Sequence, residues 1–188
     1  MKYLFVAMTI LSVFCGKVRA DEISTNSVHN LESKWINQDG LELQLRSYKG
    51  HRVIIAMVYL TCKFLCPTII SDVQKIESKL SAKSKEDVRI ILVSFDPNRD
   101  TTKAMKAYAK KRKLDLKRWS LISQKDESNI RELAAVLGFK YQKQEGGTEY
   151  SHSFQITALD KEGVIKAQID GANKDPGEFV QEIEKMQK

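Results

Sequence analysis

Residues 52–60 read Arg-Val-Ile-Ile-Ala-Met-Val-Tyr-Leu, an unbroken, largely apolar run rich in β-branched side chains. It constrains the fold more than any other stretch. Successive side chains of a strand point to opposite faces, so a strand without polar alternation must be covered on both sides. Such a strand belongs in the middle of a sheet flanked by helices. Residues 88–95 form a second run of the same kind. Between them, Ile69, Ile70, Val73, Ile76 and Leu80 make one helical stripe over residues 66–80, with Pro67 suited to the first turn.

The remaining pattern extends this core. Residues 35–45 predict a hairpin turning at Asp39-Gly40. Thr101 can cap a helix reaching Lys113, residues 119–122 form a short strand, and residues 126–137 form a helix closed by Gly138. Residues 139–142 are a short extended piece. Residues 153–159 and 163–169 pair across Asp160-Lys161-Glu162, and residues 176–186 form a closing helix. The expected class is α/β: a central mixed sheet with helices on both faces and an N-terminal hairpin.

Residues 1–20 carry a leader pattern. Lys2 gives a positive start, residues 3–14 are apolar but too short to remain as a spanning helix, and Val18-Arg19-Ala20 offers a cleavage site before Asp21. Export to the periplasm follows as an expectation. Membrane association would arise only if this segment stayed uncleaved and anchored the chain on the periplasmic side. Residues 21–33 are polar and expected to be flexible, and residues 34–188 are expected to form one domain. The formal charge of +7 includes Lys2, Lys17 and Arg19; without these three it is +4. The densest basic stretch, residues 103–118, lacks interleaved aromatics and reads as a solvated helix face, so nucleic acid is not an expected partner.

Of three cysteines, Cys15 would leave with the leader, so Cys62 and Cys66 remain. A bridge closing so small a loop adds little stability, so the pair points to reactivity. It sits where the first buried strand gives way to a helix, and helix N-terminal N–H groups favour thiolates. Lys63 adds a cation, so both sulfurs are expected to ionise more readily than free cysteine. At helical pitch, a separation of four residues places both side chains on one face. Two soft sulfurs suit Cu(I), zinc or iron–sulfur chemistry. A cluster needs more cysteines, and zinc wants a fourth ligand. Copper tolerates a Cys-Cys-His set. His29 lies in the polar N-terminal segment and is expected to be solvated; His51 lies at the end of the strand opposite the cysteines. His152, just before the strand that begins near Phe154, is the expected third ligand.

A strand ending at a cysteine pair on a helix start is a thioredoxin-like arrangement. Thioredoxins place a cis-proline in the loop that faces the cysteines; His152 stands there in this chain. The chain resembles the Sco/SenC family of copper-binding thioredoxin-like proteins. The resemblance rests on Tyr59-Leu60-Thr61-Cys62 with Cys66-Pro67, on Val93 to Thr101 (Val-Ser-Phe-Asp-Pro-Asn-Arg-Asp-Thr), on Ala107-Tyr108-Ala109, on Leu133 to Gly138, and on Ser151-His152-Ser153. It implies that Cys62, Cys66 and His152 bind copper as Cu(I) or Cu(II). It also implies that Asp96 and Asp100 form an acidic loop near the metal. It further implies a metallochaperone role in maturing the copper centre of cytochrome c oxidase. The expected partner is the oxidase's copper-bearing subunit or another exported copper or thiol protein. Many family members carry proline directly after the first cysteine, where this chain has Lys63. The alternative role is a thiol-disulfide oxidoreductase in which Cys62 and Cys66 are the redox-active pair.

Overall fold

A computed structural model of the chain describes residues 26–186. The expected leader, residues 1–20, and the first residues of the expected flexible segment lie outside the described residues. The hairpin β1 (Lys34–Asn37) and β2 (Glu42–Gln44) is closed by the Asn37 side chain, which accepts from the backbone N–H groups of Asp39 and Leu41 at 3.0 and 2.9 Å. β3 (Val53–Val58) is buried along its whole length, as the absence of polar alternation requires. It is followed by α1 (Leu65–Lys79), α2 (Ala82–Asp87) and β4 (Arg89–Ser94). Next come α3 (Thr102–Arg112), β5 (Trp119–Ser123), α4 (Glu127–Leu137), β6 (Tyr141–Lys143) and β7 (Tyr150–His152). The chain closes with β8 (Gln155–Leu159), β9 (Ile165–Asp170) and α5 (Gly177–Lys185).

Seven strands make one sheet in the order β2-β1-β5-β4-β3-β8-β9. β3, β4 and β5 run parallel, while β1, β8 and β9 join antiparallel, so the sheet is mixed. Every side chain of β3 and β8 is buried although neighbours point to opposite faces, which requires cover on both sides. Thr101 and Gly138 cap as the sequence predicts, while Asp126, expected as the first residue of its helix, is its N-cap. Thr101 accepts from Ala104 N–H at 3.3 Å, Asp126 accepts from Ser128 N–H at 2.8 Å, and Gly138 ends α4 in the left-handed region.

Three features depart from expectation. α2 was not expected: residues 81–87 carry no apolar stripe, and the helix depends on Ser81 accepting from Ser84 N–H at 3.2 Å. The extended piece after α4 pairs with β7 into a separate two-stranded ribbon. Third, residues 26–33 are not loose. Val28–Asn30 form a 3-10 turn, and Val28 N–H donates to Gly163 O at 3.0 Å.

His29 is correspondingly buried, 1% exposed, and neither ring nitrogen has a hydrogen-bond partner. Its polar neighbours in sequence hid an apolar contact made across the β8–β9 turn. Gly163 there has φ +78, and a Cβ would meet His29 Cγ and Cδ2 and Ser27 Oγ at 2.8 Å each. Gly163→Ala is expected to cost about 1–3 kcal/mol, read as a lower thermal midpoint. Burial and the charge of Lys49 hold the His29 ring below its ordinary value, with Asp160 and Glu162 opposing. Its neutral form is therefore favoured in the folded chain. The contribution is complete above the unfolded value near 6.5 and is lost as pH falls below it. His29→Gln should flatten that acid limb; a limb unchanged in the variant would show that His29 does not cause it.

Candidate metal site

The site forms at the carboxyl end of β3, where parallel strands of open α/β sheets present their ligands. Cys62 does not lie on the helix. It sits in a turn in which its N–H donates to Tyr59 O at 3.3 Å, and α1 begins only at Leu65. The sulfurs converge through capping rather than helical pitch. Phe64, the residue before α1, offers no side-chain cap, and Cys62 Sγ accepts from Cys66 N–H at 3.4 Å. Cys66 Sγ in turn accepts from Tyr59 N–H at 3.4 Å. Each sulfur is thus tied to the backbone that carries the other.

His152 ends β7, so it stands on the two-stranded ribbon rather than in a loop. Its Nδ1 lies 2.8 Å from Ser153 O. A carbonyl only accepts, so Nδ1 carries the hydrogen, and Nε2 is the nitrogen turned to the sulfurs: a donor to a thiolate when it carries a proton, a lone pair for a metal when it does not. Nε2 faces Cys66 Sγ at 3.6 Å. The ring packs against Phe95, Tyr59 and Phe139 with centroids 5.4, 5.7 and 5.9 Å away.

The donor atoms of Cys62, Cys66 and His152 all lie within 4.8 Å of one another. Ligands bound at about 2.0–2.3 Å around one ion sit roughly 3.5–4 Å apart, so little movement separates this arrangement from a metal site. The donor set, two sulfurs and one imidazole, fits a soft or borderline ion. Asp96 and Asp100 stand outside this donor group. Both are buried in the segment after β4. Asp100 Oδ2 accepts from Leu60 N–H at 3.0 Å and from Ser94 Oγ at 2.6 Å, so it fixes the chain just before the cysteines. Burial, with Asp96 adding to it, lifts the Asp100 carboxyl to about 6 against those two bonds. Asp96 is paired with Arg99.

The two thiols do not behave alike. Burial would raise Cys62, but the Cys66 N–H, the His152 ring, the Phe64 N–H and the Tyr59 hydroxyl outweigh it and bring the thiol down to about 6. Cys66 moves the other way. Its burial and the adjacent Cys62 charge push it well above its usual value despite the Tyr59 N–H. The expectation that both sulfurs ionise readily therefore holds for Cys62 and fails for Cys66, because only Cys62 reaches the open side. Cys62 lines a cleft of about 400 Å³ with Tyr59, Leu65, Glu149, Tyr150 and His152, and Phe64 at its rim is 85% exposed.

Sequence reasoning missed Tyr59, Arg99 and Glu149 as parts of the site. Tyr59 OH donates to Glu149 Oε2 at 2.9 Å, and Arg99 Nη1 lies 3.7 Å from Glu149 Oε1. Arg99 falls inside a recognised stretch, between the two aspartates, but no local pattern points from it to residue 149.

The fold and the three donors define a thioredoxin-like domain bearing a Cys-Cys-His site at the start of its first long helix. A sequence profile of the SCO1/SenC family matches residues 24–188. The chain belongs to that family. A SCO1 protein homolog of Bacillus subtilis (strain 168) is 29% identical over 142 residues, covering 74% of this chain and 72% of that protein. The structure of BsSco, described as a member of the Sco family of cytochrome c oxidase assembly proteins with a disulfide switch, superposes with TM-score 0.70. Its identity is 25%, covering 82% of this chain and 90% of that one. A copper-bound crystal structure of ScoI from Arabidopsis thaliana shares the fold at TM-score 0.69 and 21% identity, covering 81% and 96% of the two chains.

Proposed function

We propose that this chain is an exported copper-binding protein that delivers copper during assembly of the cytochrome c oxidase copper centre. One observation carries the copper reading: two neighbouring cysteines and a histidine 86 residues beyond the second meet within 4.8 Å, with His152 Nε2 turned toward Cys66 Sγ. Two thiolates and an imidazole suit Cu(I) and accept Cu(II), and the protein supplies both sulfurs and the ring without a fourth side chain. Membership of a family whose relative BsSco is described as an oxidase assembly protein supports the destination. The leader pattern of residues 1–20 supports delivery to the periplasm.

The test is metal analysis of the reduced protein with X-ray absorption. About one copper per chain is expected, bound by two sulfurs and one nitrogen. A site that takes up zinc in preference to copper, or copper without sulfur ligands, sinks the reading.

A second reading has its own observation, the divergence of the two thiols. A low thiol at the cleft beside a high, buried one suits disulfide exchange. The Cys62 thiolate attacks a partner disulfide, releasing one partner thiolate and forming a mixed disulfide. Cys66, losing its proton, then attacks Cys62 Sγ and releases the second partner thiol. The partner is reduced by two electrons, and a Cys62–Cys66 disulfide forms. The two roles use the same sulfurs, so a chain that has just reduced its partner must itself be reduced before it can hold copper through both.

A further inference from the structure

His152 stands on a ribbon that has no strand pairing with the seven-stranded sheet. A two-stranded ribbon is marginal on its own in water. Something other than backbone pairing must therefore set how close His152 comes to the sulfurs. Aromatic packing holds the base of the ribbon, with the His152 ring against Phe95, Tyr59 and Phe139. Arg99 is directional. It is paired with Asp96, donates to Thr148 O, and lies 3.7 Å from Glu149 Oε1, with its guanidinium 5.5 Å from the Tyr59 ring centroid. Glu149 also accepts from Tyr59 OH at 2.9 Å. Tyr59 precedes Cys62, and Glu149 precedes His152, by the same three positions. The contacts therefore bridge the two halves of the site one step behind the ligands themselves.

We propose that Arg99 and Glu149 form a clasp that sets the position of His152 by holding the β6–β7 ribbon against the end of β3. Arg99 is a positioning residue: its contacts are to Asp96, Thr148, Glu149 and Tyr59, and it acts on His152 through the ribbon. A planar guanidinium suits the task because it meets a carboxylate, a second carboxylate and a carbonyl in one fork while covering an aromatic face. The inference deepens the copper reading, yet its first readout needs no metal.

The test is amide hydrogen exchange on the reduced, metal-free protein, comparing the parent with Arg99→Gln and with Glu149→Gln. The reporters are Gln144 N–H, bonded to Glu149 O at 2.9 Å, and Ser153 N–H, bonded to Lys140 O at 2.8 Å. Both variants should exchange about tenfold faster at these reporters while the amides of β3 and β4 keep their rates. With copper added, the nitrogen contribution in X-ray absorption should fall in both variants and the sulfur contribution remain. Reporter rates within about twofold of the parent overturn the clasp. So does an equal acceleration in β3 and β4, which would mark a general loss of stability. A parent protein that takes up no copper defeats the copper reading and leaves the exchange result to judge the clasp.

Discussion

His152→Ala is expected to weaken copper binding by at least about a hundredfold while leaving disulfide exchange in place. Altering the partners of a ligand already costs about 10–100-fold in metal affinity, and removing the ligand itself costs no less. The ring supplies the one imidazole grouped with both sulfurs among the described residues, so no substitute side-chain nitrogen stands ready. The sulfurs are less dependent on it. Burial opposes the Cys62 thiolate, but the Cys66 N–H, the Phe64 N–H and the Tyr59 hydroxyl still favour it after the ring is gone. Exchange with a model disulfide should therefore slow modestly. Competition with a Cu(I) chelator measures the first quantity; an affinity within about threefold of the parent would remove His152 from the ligand set. The same titration carries a pH signature. Cys62 titrates at about 6 and Cys66 well above the ordinary thiol value. Above pH 7 Cys62 has already lost its proton, and binding through both sulfurs must release the one on Cys66. Apparent affinity should then rise about tenfold per pH unit between roughly pH 7 and 9. A flat profile there would mean that Cys66 does not bind as a thiolate.

The core was readable because it depends on local signals. Unbroken β-branched runs at β3 and β4, a stripe from Ile69 to Ile76, and caps at Thr101 and Gly138 each act within a few residues. The three donors that the structure brings together were readable for a different reason: residue types with scarce alternatives, set in a recognisable order. What was hidden depends on distance. His29 looks solvated beside Ser27 and Asn30 until the β8–β9 turn closes over it. Cys66 looks like its neighbour until the sheet buries it. The ribbon that carries His152 is short, and its partners in space, Arg99 and Tyr59, lie 49 and 90 residues from the groups they hold. Periodicity reports what one element buries; it carries no information on which charges meet across elements.

Arg52→Met, outside the candidate metal site, is expected to be strongly destabilising, costing about 3–5 kcal/mol. Arg52 precedes β3 and is 1% exposed. Its Nε donates to Asp87 Oδ2 at 2.8 Å, and its Nη1 donates to Ser84 Oγ at 3.2 Å and to Ile183 O at 2.7 Å. One guanidinium thereby joins the start of the central strand to α2 and to α5. Methionine keeps most of the volume but leaves a carboxylate, a hydroxyl and a helix carbonyl facing an apolar chain. At about 2–4 °C per kcal/mol for a domain of this size, the thermal midpoint should fall by roughly 6–20 °C. Burial raises the Asp87 carboxyl, but Arg52 and Lys161 more than offset this and hold it below its usual value. A depressed carboxylate contributes stability above its unfolded value, and the contribution is lost as pH falls through the folded one. The gap between parent and variant should consequently narrow below about pH 4. Arg52→Met combined with Asp87→Leu should lose less than the sum of the two single exchanges, because the second removes the charge that the first stranded. Strict additivity, or a midpoint shift under about 2 °C, would show that the strand and the two helices are held together by packing alone.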